Sequence, residues 1–170
     1  MMTFFTILLF IAVAGLAMGT LAAVKVWYSL TTLFILLVSL CFSSLWFGII
    51  LGGMLFGWLP LLFTKIVIVL CCLGLAWFFL NKFHPSYGYF PYRGWIHWIF
   101  LGAFFLLIGI DYANLGISSW FLLLLLPVFA AMLFAGTFIM WKIKSMLRGG
   151  PVFIYLPLVL LVFLGLIKLI

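Results

Sequence analysis

The sequence predicts an all-α, polytopic integral membrane bundle of about six helices, and three observations carry that prediction. Charged residues make up 5% of the 170 residues and hydrophobic residues 71%, where a soluble domain carries about 25% charged residues. Apolar runs of about 20 residues, the length that crosses about 30 Å of hydrocarbon, follow one another with short interruptions. Apolar and polar residues do not alternate, which argues against a membrane β-barrel. Lipid offers backbone groups no partner, so the helix is what remains.

Each span has a reason to start and stop. The first, about 3–24, has no basic segment ahead of it and is longer than the apolar core of a signal peptide, so it reads as a retained helix. Lys25, Val26 and Trp27 end it. The second, about 27–50, ends at Gly52-Gly53, a stronger turn signal than Ser43-Ser44. No charge falls between Lys25 and Lys65, so the alternative is five spans plus a re-entrant segment in 26–64. The third span, about 59–80, ends at Asn81-Lys82. The loop 81–95 is rich in Tyr, Pro and Phe and is expected to fold onto the interface. The fourth, about 96–113, ends around Asp111-Tyr112-Ala113-Asn114. The fifth, about 118–140, ends at Trp141, and the sixth occupies about 151–170 after Arg148-Gly149-Gly150-Pro151. Residues 1–170 form one transmembrane domain on this reading. No polar stretch is long enough for a soluble enzyme or nucleic-acid domain.

Orientation follows from the basic residues. Lys25, Lys82, Arg93, Lys142, Lys144 and Arg148 fall in loops on one side, and the opposite loops carry no Lys or Arg. The positive-inside rule makes these the cytoplasmic loops and puts both termini outside. A bacterial cytoplasmic membrane or an organellar inner membrane is the expected location. Trp27, Trp58, Trp77, Trp95, Trp98, Trp120 and Trp141 lie near span ends, where indole rings favour the headgroup level. Trp46 fits less well. Lys168 is expected to reach the interface along its own stem.

Few residues offer chemistry. A charge inside hydrocarbon costs about 2.5–3.5 kcal/mol, so Lys65 and Asp111 stand out. Both are expected near the outer end of adjacent spans, as an ion pair or as part of a cation or proton path. The competing expectation is that Lys65 reaches outward and Asp111 caps its loop. Gly15, Gly19 and Ala23 form one small-residue stripe, and Ser44, Gly48 and Gly52 form another. Such stripes let helix backbones approach closely, here between the first two spans or against another subunit. His84 and His97 lie near the interface with no acidic neighbour, and the three cysteines match no metal spacing. No metal or cofactor is expected. One acidic side chain and no nucleophile–base cluster make catalysis poorly supported, and the common catalytic and nucleotide-binding motifs are absent.

The expected partners are lipid and other membrane subunits. Nucleic acid is not expected, because the basic residues are scattered singly. The functional expectation is a non-enzymatic subunit or accessory component of a membrane complex. The alternative is a small-solute transporter or channel component drawing on Lys65, Asp111, Ser39, Ser43, Ser44 and Thr64.

Overall fold

The computed structural model describes residues 2–24, 29–84, 88–90, 95–146 and 152–169. Lys25, Arg93 and Arg148, three of the basic loop residues, lie outside the described residues, as does Trp27. Six helices run in order: α1 (Met2–Val24), α2 (Leu30–Leu51), α3 (Leu61–Lys82), α4 (Trp95–Asn114), α5 (Leu122–Met146) and α6 (Val152–Leu169). A π-helical turn, Gly52–Phe56, prolongs α2, and a 3-10 turn, Ser119–Phe121, leads into α5. The first five are long and apolar enough to cross a bilayer. This is a helical, multi-pass membrane protein.

The stretch 26–64 resolves differently from the sequence expectation. Gly52-Gly53 is not a turn. The helix continues through it, so that Leu30–Phe56 is one apolar span of 27 residues, and reversal comes at Gly57–Pro60. No re-entrant segment exists among the described residues here. The physical reason lies in what Gly52 touches. Its backbone is right-handed helical (φ −60°, ψ −47°), and a Cβ on it would come 2.6 Å from the Cβ of Ala113 on α4. Glycine serves close packing at this position and has no part in chain reversal. Pro60, in extended conformation (φ −64°, ψ 137°), starts α3 instead.

Neighbouring helices close a cycle in the order α1–α5–α2–α4–α3–α6 and back to α1. Helix α1 is apolar on all sides and is the most buried of the five long spans, as expected of a helix surrounded by others. Ala14, Ala17, Met18, Leu21 and Ala22 on it have no exposure at all.

The two small-residue stripes do not pack on each other, and this corrects the sequence expectation. The α1 stripe faces α5: a Cβ on Gly15 would lie 2.7 Å from the Phe129 carbonyl oxygen, and one on Gly19 would strike the Leu133 carbonyl. From the other side, a Cβ on Gly136 would strike the Leu16 carbonyl. The α2 stripe faces α4: a Cβ on Gly48 would strike the Leu106 carbonyl, and one on Gly109 would lie 2.8 Å from Gly48 Cα. Ser44 sits lower on the same face, its Oγ 3.6 Å from where a Cβ on Gly102 would be. Ala23 is buried near the end of α1. In both pairs the numbers rise together along the contact, so the paired helices run parallel. Inside lipid such packing takes over the role of the hydrophobic effect.

The outer surface is apolar. Leu62 (70% exposed), Ile99 (66%) and Phe134 (65%) point away from the bundle; water would not tolerate such a surface, and lipid contact explains it. Trp46 also faces outward, its ring edge-on to Phe42 at 5.5 Å between centroids.

The α2–α4 crossing leaves no room for a side chain, whereas Gly74 on α3 has nothing within 4 Å of an added Cβ. Gly109→Leu is therefore expected to lower the thermal unfolding midpoint in detergent, with a cost of about 1–3 kcal/mol or more from overpacking. Gly74→Leu should leave it within about 0.5 kcal/mol of the parent.

Candidate functional site

The one acidic side chain of the sequence, Asp111, is buried in the bundle with charged and hydroxyl partners around it. This residue lies in the last turn of α4, where the helix field disfavours an anion, and its side chain is 1% exposed. The end of α4 is closed by Gly116 in the left-handed region (φ 72°). Gly116 N–H donates to Ala113 O at 2.9 Å, and Ile117 N–H donates to Tyr112 O at 3.1 Å. This is the Schellman arrangement that satisfies terminal carbonyls. It leaves the Asp111 carboxylate to be met by side chains.

Two side chains meet it. Thr64 Oγ1 lies 2.9 Å from Asp111 Oδ1 and donates to it. The same hydroxyl lies 2.9 Å from the Leu61 carbonyl, and the charged acceptor is the stronger of the two. Thr64 is in the first turn of α3, whose N-terminal field also favours an anion. Lys168, in the last turn of α6, forms an ion pair with Asp111 Oδ2. Its ammonium also lies 5.3 Å from the ring centroid of Phe10 and 5.8 Å from that of Tyr112, within cation–π range. One charge pair thus ties together α1, α3, α4 and α6.

The expected Lys65–Asp111 pair is corrected by this geometry. The cation of Asp111 is Lys168, and Lys65 makes no ion pair among the described residues. Helical rotation explains the difference. The face of α3 buried in the bundle runs Thr64, Ile68, Cys72, Leu75, Phe79. Successive residues are about 100° apart around a helix, so with Thr64 on that face Lys65 is turned away, and it is half-buried. Lys168 turns its ammonium inward to Asp111, and its side chain is 10% exposed. The signal that could have found the pair is positional: α4 and α6 end at the same end of the bundle.

More polar capacity sits beside the pair. Among the described residues the Tyr112 hydroxyl and both side-chain amide atoms of Asn114 are buried without a hydrogen-bond partner. The other hydroxyls expected to contribute to a polar path do not join this cluster. Ser39 and Ser43 are exposed on α2 and donate to the Leu36 and Leu40 carbonyls one turn back at 3.1 and 3.2 Å. Ser44 faces α4 at Gly102.

The opposite end of the bundle is aromatic and basic. Lys82, Lys142 and Lys144 are exposed there, at the ends of α3 and α5. His84 and Gly88 exchange two backbone hydrogen bonds of 3.2 and 2.8 Å, and Tyr89 and Phe90 next to them are buried in the core. Both rings pack on Phe79, at 5.9 Å between centroids, and Phe90 also meets Trp98 at 5.7 Å. Burial, with Tyr155 adding to it, pushes the Tyr89 phenol up to about 12. His97 is buried against Phe78 at 5.0 Å. Among the described residues no three of His, Cys, Asp or Glu come together as metal ligands would.

No family model matches the chain, and no curated protein or solved structure matches it either.

Removing one partner of a buried pair leaves a charge without compensation, at a cost of about 3–5 kcal/mol. Asp111→Leu and Lys168→Met are each expected to lower stability by that order in detergent unfolding assays. The double variant should recover most of the loss, and Lys65→Gln should change little.

Proposed function

We propose that this chain is a non-enzymatic subunit or accessory component of a larger membrane protein complex. The proposed setting is a bacterial cytoplasmic or organellar inner membrane, with both termini outside and the basic end in the cytoplasm. The observation that supports this reading most is how the interior is used. Asp111 and Lys168 engage each other, Thr64 and two aromatic rings. Elsewhere the helices meet through glycines and apolar side chains. An interior given over to rigid packing suits a protein that works through its outer, apolar surface.

A second reading, a small-solute transporter or channel component, is favoured by the unpartnered Tyr112 and Asn114 groups beside Asp111. Intramembrane carboxylates often mark ion or substrate paths.

Purification of the tagged chain from its own membrane in mild detergent separates the two. The subunit reading expects a partner at fixed ratio that is lost from the membrane when this chain is deleted. A monomer whose proteoliposomes show solute or ion flux abolished by Asp111→Asn would overturn it.

Orientation has its own check. In a cysteine-free background, a thiol at Ser118→Cys should label from outside in intact cells. One at Lys144→Cys should label only after permeabilisation; the reverse pattern would invert the assignment.

A further inference from the structure

We propose that the groove between α3 and α4 at the basic end of the bundle binds an anionic phospholipid, acyl chain in the groove and phosphate on Lys82. The groove encloses about 430 Å³. Cys71, Gly74, Leu75 and Phe100 line it, as do Asn81 and Lys82 at the end of α3. Its floor is open because Gly74 has nothing within 4 Å of an added Cβ. At about 1.5 Å rise per residue, Cys71 lies about 16 Å from Lys82 along α3. That depth suits an acyl chain reaching from the headgroups toward the bilayer centre.

Charge decides the occupant. The sequence has eight Lys and Arg but a single acidic side chain, and that one, Asp111, is engaged by Lys168 at the far end. No carboxylate side chain is left to compensate Lys82, which is exposed. The phosphate of an anionic lipid supplies the missing charge, and the Asn81 amide adds a donor beside it. Basic sites between membrane helices recognise such headgroups. Two further surface grooves provide the contrast. The one between α2 and α5, at Phe34 and Ala130, and the one between α3 and α6, at Ala76 and Val159, carry no charged lining residue. They can hold chains but cannot select a headgroup.

The test is native mass spectrometry of the purified chain equilibrated with equal amounts of phosphatidylglycerol and phosphatidylcholine. The wild type is expected to retain phosphatidylglycerol preferentially. Lys82→Gln should reduce that preference about fivefold, the weight of one lysine at an anionic surface. Lys142→Gln, at the same end but outside the groove, should leave it intact. Gly74→Leu, which fills the groove, should reduce retention of both lipids, and its thermal midpoint shows whether it is folded; if it is not, the comparison of Lys82→Gln with Lys142→Gln decides. Inorganic phosphate should not compete. No preference in the wild type, equal losses at Lys82 and Lys142, or displacement by inorganic phosphate would each overturn the proposal.

Discussion

A carboxylate buried inside a helix bundle must find its donors within the protein, because neither water nor lipid reaches it there. Asp111 meets that constraint by drawing three elements to one point. Helix α3 brings the Thr64 hydroxyl and a favourable N-terminal field, and α6 brings the Lys168 ammonium. Helix α1 brings the Phe10 ring, and α4 itself brings Tyr112, so that aromatic faces flank the cation. The position of α6 in the bundle follows from this demand as much as from its apolar surface.

The second organising feature is backbone proximity. Two parallel pairs, α1 with α5 and α2 with α4, cross at glycines where no side chain fits. The partners are not consecutive in sequence, so each close crossing joins distant parts of the chain. Together with the charge pair and the α3–α6 contact they leave no helix held only by its loops. Between α3 and α4 the described residues also insert two aromatic rings, Tyr89 and Phe90, against Phe79.

Composition and run length made the helical membrane fold legible in the sequence. These quantities report the solvent around a helix, and lipid imposes its signature on every exposed residue. Partner choice was less legible. Gly15, Gly19, Gly48 and Gly52 announced close packing, but a glycine stripe carries no information about which helix it meets. The stripe at Gly52 also looked like a turn, since the same lack of a Cβ serves both purposes. Lys65 is conspicuous in the sequence as a charge near the outer end of a span, but its neighbour Thr64 is the residue that touches Asp111. A rotation of one residue separates them, and the apolar period of α3 held that information. The burial of Tyr89 and Phe90 is not legible in the sequence, because nothing local distinguishes an inserted ring from one lying on the interface.

The distance between Asp111 and Lys168 along the chain, 57 positions, bears on how the molecule comes to exist. Ribosomes deliver α4 before α6, so the acid enters the bilayer when its counter-charge has not yet been translated. Until α6 arrives, the carboxyl group must remain near headgroup water or rely on a donor such as Thr64. Closure of these six helices is therefore tied to α6, whose final turn acts as the clasp on the five that precede it.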